Sequence, residues 1–184
     1  MPFFRSLPET AGPGNVFATY PEIYRHWAEM GQALINGPSP LTPAERELIQ
    51  AYVAGLIGCN YACVAHTAAA YARGIEDGVV EKLLRDPKSA PVSDKQRALL
   101  DFVRKLTVAT TSVTQADADQ VFAAGWDEKA LHDAIAVTAR MTFMTRIIHG
   151  FGFTPMTPER AKQSAEHRSK VGYVDLYPAF HGKK

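Results

Sequence analysis

Apolar residues along most of the chain recur at intervals of three and four positions, the period of a helix that buries one face. The first clear case opens at Pro21 and ends at Asn36-Gly37-Pro38, residues that typically stop a helix. No segment alternates apolar and polar residues over a length useful for a strand. The pattern therefore predicts an all-α protein of about seven or eight helices, in one domain that spans residues 1–184.

Helix starts are marked by capping sequences at several points of the chain. Thr42 can act as the N-cap, Pro43 suits the first helical position, and Glu45 can bond back to the cap. This combination predicts a helix that begins at Pro43 and continues until it meets Gly55 and Gly58. The same capping logic recurs at Ser93 with Gln96 and at Thr114 with Asp117.

The two ends of the chain and one long helix differ from this pattern. Residues 1–18 contain several prolines and glycines without a period, so we expect an irregular arm. A helix from Asp127 to about His149 is apolar nearly all round in its middle, which predicts a place at the centre or in a subunit contact. Residues 172–184 form an apolar tail that needs a surface to cover, with Tyr173, Leu176, Tyr177 and Phe180.

Composition and charge exclude several classes of protein. The 184 residues suffice for one packed core, and 20 Lys and Arg nearly balance 19 Asp and Glu. Such a balance provides no electrostatic field for binding nucleic acid or an acidic membrane surface. The beginning lacks the apolar run of a signal peptide, and no uncharged stretch is long enough to span a bilayer. We therefore expect a cytoplasmic protein with neither a nucleic-acid nor a membrane partner.

The candidate chemistry concentrates in residues 58–67, which contain both cysteines of the chain and a histidine. On a helix, Cys59, Cys63 and His66 lie at about 0°, 40° and −20°, so two thiols and an imidazole share one stripe. In a cytosolic protein, a close cysteine pair is more often catalytic or metal-binding than a structural disulfide. The helix dipole at Cys59 favours a thiolate, and His66 can transfer a proton. The stripe therefore indicates a redox site.

A carboxylate on the preceding helix can complete this site. Glu47 precedes Cys59 by twelve residues, and a bend at Gly55 and Gly58 would fold the two helices against each other. The Glu47 carboxylate could then orient His66 or relay a proton. From spacing alone, Glu47 could equally be a solvated residue near a helix start.

Two other interpretations of the cluster stay open at this point. A metal site needs three or four ligands, and the cluster offers three, with Glu47 or His149 as recruits. Alternatively, both cysteines are small hydrophobic residues of the core without a chemical role. The residues alone do not choose between redox catalysis, metal binding and a structural role.

The run ERELIQAYVAGLIGCNYACVAHTAAA resembles the carboxymuconolactone decarboxylase/alkylhydroperoxidase D-like superfamily, in particular its peroxidase-related branch. Redox members of that family have a Glu, a Cys-x-x-Cys motif and a His at fixed offsets. Glu47 lies twelve residues before Cys59 and His66 seven after it, as in the family pattern. Tyr61 occupies the polar position between the cysteines that joins the proton relay in some members. The likeness extends less specifically to LTPAERE and to TRIIHGFGF near the end.

The resemblance implies an alkylhydroperoxidase D-like helical bundle and a thiol-dependent peroxidase that reduces organic hydroperoxides or hydrogen peroxide. We expect Cys63, next to His66, to attack the peroxide and Cys59 to resolve the product to a disulfide, which an external dithiol would reduce; the helix-end position of Cys59 leaves the reverse order open. Glu47 and His66 would move protons, with Tyr61 as a helper. No bound cofactor or metal is needed, and the family implies a homo-oligomer: a dimer, a trimer or a hexamer.

The chain departs from the family pattern at one position. The family has Cys-x-x-Cys, whereas three residues separate Cys59 from Cys63, and Ala62 stands where the second cysteine is expected. On an ideal helix this difference moves the second sulfur by about 100° around the axis. Three further functions therefore stay open: a thiol–disulfide oxidoreductase, a muconolactone-type decarboxylase, and a non-catalytic metal-binding or helical oligomeric protein.

Overall fold

The computed structural model describes residues 2–181, and within this range it contains nine α-helices and no β-strand. The all-α prediction is confirmed, with one helix more than the upper end of the expected count. None of the described helices is both long and apolar enough to cross a bilayer. The helices are α1 (Pro13–Thr19), α2 (Pro21–Asn36), α3 (Pro43–Leu56), α4 (Asn60–Ala72), α5 (Val79–Arg85), α6 (Asp94–Val108), α7 (Gln115–Ala123), α8 (Glu128–Phe151) and α9 (Pro158–Val171), with 3₁₀ turns at Thr110–Ser112 and Pro178–His181.

The additional helix is α1, which lies in the N-terminal segment that was expected to be irregular. With seven residues, α1 is too short to show a helical period in the sequence. Pro13 stands at its start, and tertiary packing holds it in place. Phe17 is fully buried and stacks on Tyr24 with ring centroids 4.6 Å apart. Burial of an aromatic side chain therefore stabilises a helix that its local sequence does not predict.

α3 is the central helix of the fold. Every residue from Arg46 to Ala54 is buried, because α4, α5, α6 and α8 all pack against this helix. The predicted capping box fixes its start: the Glu45 amide donates to Thr42 Oγ1 at 3.2 Å, and the Thr42 amide donates to Glu45 Oε2 at 2.8 Å. This start places Glu47 just beyond the first turn, with its side chain in the core.

The bend predicted between α3 and α4 lies at residues 57–59. α3 ends at Leu56, and Gly58 has a φ of +78°, in the left-handed region that favours glycine. The Cys59 amide donates to the Ala54 carbonyl at 2.8 Å and so closes the turn. α4 then runs back along α3, and residues at similar distances from the bend face each other.

The C-terminal part of the chain covers this pair of helices. α9 packs on α4, and the chain after α9 returns towards α1 and α2. Tyr173 and Phe180 of the predicted tail are buried, so the tail finds the surface that it needs. Residues 182–184 of that tail, like Met1 of the predicted arm, lie outside the described residues.

Candidate functional site

Glu47 and His66 form a hydrogen-bonded pair where α3 and α4 lie side by side. His66 Nδ1 lies 2.7 Å from Glu47 Oε2. Glu47 has no exposed surface, and His66 is 7% exposed. The bend produces this contact, since the two residues stand at similar distances on either side of it. The hypothesis that Glu47 orients His66 therefore has the geometry that it requires.

Two further side chains hold the Glu47 carboxylate. Gln50 Nε2 donates to Glu47 Oε2 at 3.0 Å, and the Tyr173 hydroxyl donates to Glu47 Oε1 at 2.9 Å. Both oxygens accept hydrogen bonds, so the carboxylate cannot rotate without losing one. Sequence reasoning missed both partners. Gln50 was detectable as a polar residue one turn after Glu47 on the same helix, whereas Tyr173, at a separation of 126 residues, carries no sequence signal.

Burial and hydrogen bonding set the charges of this pair. Burial alone would raise the pKa of Glu47, but the hydrogen bond from His66 and the nearby guanidinium of Arg168 hold that pKa at about 2. Burial lowers the pKa of His66; the attraction of Glu47 opposes this only in part, and Arg168 and Arg140 act in the same direction as burial. His66 is therefore neutral at neutral pH, and its contact with the carboxylate assigns the proton to Nδ1 and a lone pair to Nε2.

A cavity of about 690 Å³ opens beside His66. Because Nδ1 is bonded to Glu47, Nε2 is the nitrogen available to a molecule in this cavity. No hydrogen bond joins Nε2 to any residue in the range 2–181. The site is thus a histidine base, oriented by a buried carboxylate, at the wall of a space that suits a small organic molecule. Other side chains in the wall include Trp27, Tyr61, Ala62, Met144, Ile148 and Arg168.

Neither cysteine lines this cavity. Cys59 is the N-cap of α4 and has no exposed surface, whereas Cys63, one turn later, is partly exposed. Both are free thiols one turn apart on α4, and no disulfide joins them. The expected stripe is therefore divided: His66 lines the cavity, while Cys63 lies near Thr67 on the side of α4 where the charge of Glu81 acts on it.

Both thiols are less acidic than the sequence suggested. Burial raises the pKa of Cys59 above its ordinary value, and the Ala62 amide at the helix start lowers it only in part. Burial also raises the pKa of Cys63; a hydrogen bond with Thr67 opposes this, and the negative charge of Glu81 adds to it. The prediction that the helix dipole favours a Cys59 thiolate is wrong for this conformation, because burial destabilises the thiolate more than the helix end stabilises it.

Comparisons with known proteins point to one group. Residues 21–105 match the sequence profile of the Carboxymuconolactone decarboxylase family. The structure is similar to an alkylhydroperoxidase AhpD core, an uncharacterized peroxidase-related protein from Ralstonia eutropha JMP134, at 26% identity and a TM-score of 0.73, with 80% of this chain and 76% of that chain covered. It is also similar to an uncharacterized peroxidase-related protein from Silicibacter sp. TM1040, at 25% identity and a TM-score of 0.68, with 83% and 91% covered. No functionally curated protein matches the chain.

The match over residues 21–105 and the two structural neighbours support the resemblance to the carboxymuconolactone decarboxylase/alkylhydroperoxidase D-like superfamily. The matched range includes Glu47, Cys59 and His66, so the expected offsets fall in the region that carries the likeness. In the superfamily pattern a cysteine stands at the position of Ala62, and Ala62 lines the cavity. The departure therefore removes a thiol from the cavity wall and places Cys63 about 100° further around α4. Family and neighbours together indicate a peroxidase-like or carboxymuconolactone decarboxylase-like role.

The remaining candidate residues of the superfamily pattern and of the metal hypothesis do not join the Glu47–His66 pair. Tyr61 lines the cavity, and burial raises its pKa, but its hydroxyl makes no hydrogen bond with either member of the pair. The tyrosine that contacts Glu47 is Tyr173. His149 is exposed near the end of α8. In the part of the chain that the structure describes, no three His, Cys, Asp or Glu side chains converge in a way that could hold a metal ion.

Proposed function

We propose that the protein is a thiol-dependent peroxidase of the alkylhydroperoxidase type, which reduces an organic hydroperoxide or hydrogen peroxide. The observation that carries this proposal is the 2.7 Å hydrogen bond between Glu47 and His66 beside the cavity. A neutral, oriented histidine can accept the proton of a thiol and return it to a leaving group. The peroxidase-related proteins of similar fold support the same class of reaction.

Cys63 is the thiol that we assign to the peroxide. It is partly exposed and lies three residues before His66, whereas Cys59 has no exposed surface. For this step α4 must first open and bring Cys63 towards the cavity, since neither cysteine lines the wall. His66 then takes the proton of the Cys63 thiol, and the thiolate attacks one oxygen of the O–O bond. A sulfur–oxygen bond forms, the O–O bond breaks, and the leaving alkoxide or hydroxide takes the proton from His66. Cys63 becomes a sulfenic acid, and the peroxide becomes an alcohol or water.

Cys59 then resolves the sulfenic acid. Its thiol condenses with Cys63 to form a disulfide and water, and an external dithiol restores both thiols by exchange. Cysteines four residues apart in a regular helix do not have disulfide geometry, so the first turn of α4 must open. Cys59 is the N-cap beside Gly58, where opening breaks few helical hydrogen bonds. No bound cofactor enters this cycle.

Thiol titration tests the cycle directly. After one equivalent of hydroperoxide, the native protein should lose both titratable thiols, and dithiothreitol should restore them. The Cys59→Ser variant should stop at a sulfenic acid on Cys63, and the Cys63→Ser variant should not consume peroxide. If peroxide leaves both thiols intact, the peroxidase proposal fails.

One observation favours a second function, a thiol-free proton transfer of the muconolactone decarboxylase kind. His66 and Ala62 line the cavity but neither cysteine does, so a substrate there meets a base and no thiol. A Cys59→Ser/Cys63→Ser double variant separates the two functions. It retains turnover if His66 carries the reaction alone and loses turnover if a thiol takes part. A thiol–disulfide oxidoreductase, in contrast, would reduce a protein disulfide and leave peroxide unchanged.

We also propose that the protein is a cytoplasmic homo-oligomer. Ile135 and Phe143 of α8 are 39% and 43% exposed, and Ile23 and Met30 of α2 are 56% and 47% exposed. Large exposed apolar side chains, repeated along two helices, are typical of a contact between subunits. Light scattering of the purified protein measures its mass, and a monomer at all concentrations contradicts this part of the proposal.

A further inference from the structure

The buried cluster around Glu47 contains more positive than negative charge. Arg140 and Arg168 are 2% and 8% exposed, and a guanidinium stays protonated in a protein. Neither guanidinium forms an ion pair with a carboxylate of residues 2–181; Glu47 acts on both at longer range. With His66 neutral, two guanidinium groups oppose one carboxylate. A buried charge without a counter-charge is costly, which points to an anion that this cluster receives.

Arg168 is the guanidinium that reaches the cavity. It lies on α9 in the cavity wall, and its Nη2 makes a long hydrogen bond of 3.5 Å to the Ala65 carbonyl. Its Nε is buried without a hydrogen-bond partner in the described range. Arg140 does not line the cavity: its guanidinium lies 3.7 Å from the Trp27 ring centroid and donates to Gln50 Oε1 at 2.8 Å, and its Nε and Nη2 have no partner in the described range. Of the two, Arg168 is the one that lies in the cavity wall, and its Nε is a donor without a partner in the described range.

The rest of the cavity wall is mixed: it has an apolar part and also polar side chains, among them the exposed carboxylate of Glu9. Trp27, Met144 and Ile148 line it, and Arg160 of α9 adds a second, exposed guanidinium. The volume of about 690 Å³ falls within the range of pockets for small organic ligands. A molecule with an anionic head group and an apolar body matches these surroundings.

We propose that this cavity binds a small organic carboxylate whose head group accepts two hydrogen bonds from Arg168. The apolar body of the ligand packs against Trp27, Met144 and Ile148. A carboxylate matches the fork of guanidinium donors, and its single negative charge balances the excess positive charge. The ligand then lies beside Nε2 of His66. If the proposed peroxidase function holds, the substrate is a hydroperoxide that carries a carboxylate, and this last step alone rests on that function.

Isothermal titration calorimetry with two matched probes tests the site. The probes 4-phenylbutanoate and 4-phenylbutan-1-ol share one apolar body and differ in the head group. Since hydrogen bonds to charged groups are strong, we expect the carboxylate to bind about 10- to 100-fold more tightly than the alcohol. Equal affinity for the two probes, or no binding of the carboxylate, overturns the proposal.

Three arginine variants locate the head group. Arg168→Gln removes the charge but keeps a polar side chain, and it should reduce the preference for the carboxylate by about tenfold or more. Arg160→Gln should reduce the preference less, because Arg160 is exposed. Arg146→Gln is the control and should change nothing, since Arg146 is exposed on α8 and donates to the Thr142 carbonyl.

The outcome for Arg168 decides the assignment. A preference for the carboxylate that is unchanged in folded Arg168→Gln protein places the anion elsewhere and overturns the proposal. A thermal melt shows whether the variant folds. If it does not, Arg168→Lys, which keeps the charge but not the fork of donors, should still lose part of the preference; an unchanged preference in that variant counts against the proposal in the same way.

This proposal and the peroxidase proposal fail in different ways. Neither probe contains an O–O bond, and binding can be measured in the Cys59→Ser/Cys63→Ser variant, which cannot carry out thiol chemistry. If the protein prefers the carboxylate but leaves peroxide intact, the binding-site proposal stands and the peroxidase proposal fails. If the protein consumes peroxide through its thiols but shows no preference between the probes, the peroxidase proposal stands and the carboxylate-site proposal fails.

Discussion

His66 and Cys63 of α4 differ in how far their surroundings prepare them for chemistry. His66 is hydrogen-bonded to Glu47 at 2.7 Å and lines a cavity. Cys63 lies outside the cavity wall, and burial raises its pKa. Both residues belong to one sequence motif and lie three positions apart. Glu47 and His66 therefore have the contact that the motif predicts, whereas Cys63 lies outside the cavity.

Helix geometry explains how the thiol changes position while Glu47 and His66 do not. A shift of one residue turns a side chain by about 100° around α4, which exchanges a position in the cavity wall for one outside it. Glu47 and His66 keep their positions because their contact depends on the bend between the helices and not on the second cysteine. Their buried donors and acceptors also satisfy each other, and leaving one unpaired would cost about 1–3 kcal/mol.

Removal of the histidine should have the largest effect. In His66→Gln the side chain still fits a polar site but cannot act as a base, so we expect turnover to fall about 100- to 10,000-fold. This holds for a thiol peroxidase and for a thiol-free proton transfer alike. Initial rates with native protein and variant measure the change. His149→Gln is the matched control, because His149 is exposed on α8; an equal loss in both variants contradicts the site.

The Glu47–His66 pair should also make the protein sensitive to acid. The folded-state pKa of Glu47 is about 2 against an ordinary 4.5, so the unfolded chain binds this proton first. Stability is then lost as the pH falls from 4.5 towards 2, by up to about 3 kcal/mol. Burial lowers the pKa of His66 from 6.5, so His66 acts in the same direction once the pH falls below 6.5.

Urea unfolding at a series of pH values measures this dependence. The native protein should lose free energy of unfolding steadily below neutral pH. Glu47→Gln has no carboxylate at this position, so it should be less stable at neutral pH and lose less on acidification. If the two proteins lose stability in parallel between pH 6 and pH 3, the pair is not the source of the acid sensitivity.

A variant with a thiol in the cavity wall tests whether the position of the thiol on α4 limits the reaction. The double variant Ala62→Cys/Cys63→Ala restores the family spacing and places a sulfur beside His66. We expect its rate of thiol loss with hydroperoxide to exceed that of the native protein by about tenfold, because the thiol then has both access and a base. Cys63→Ala alone, which keeps Cys59 and Ala62, is the control. A double variant no faster than native protein shows that the angular position of the thiol does not limit the reaction.

The features that the sequence predicted correctly are local. The capping boxes at Thr42 and Ser93 form in full, and at Thr114 the Asp117 carboxylate accepts from the cap amide, because such a motif is complete within four residues. The contact between Glu47 and His66 followed from fixed offsets across a single tight bend. Patterns of this kind leave a visible trace because the interacting residues keep a constant separation along the chain.

Features that depend on distant packing left no such trace. Cys59 was expected to be an acidic thiol at a helix end, but its burial in the core raises its pKa. The sequence around residue 59 does not indicate this burial. The helix α1 forms because Phe17 packs on rings from other segments. The Arg168 guanidinium reaches the cavity only because α9 packs on α4. Each of these contacts joins segments that are far apart in the sequence and that belong to no common motif.

Tyr173 gives the smallest and most specific test of such a distant contact. Tyr173→Phe removes only the hydroxyl that donates to Glu47 Oε1 at 2.9 Å. We expect a loss of about 1 kcal/mol in the free energy of unfolding, together with a higher pKa of Glu47, because the charged carboxylate loses a donor. Tyr177→Phe is the control, since Tyr177 also lines the cavity but makes no hydrogen bond to Glu47. Because the charged form loses a donor, the pH range over which the free energy of unfolding falls should end at a higher pH in Tyr173→Phe alone. A shift of equal size in both variants would mean that the tail stabilises Glu47 by covering it and not through this hydroxyl.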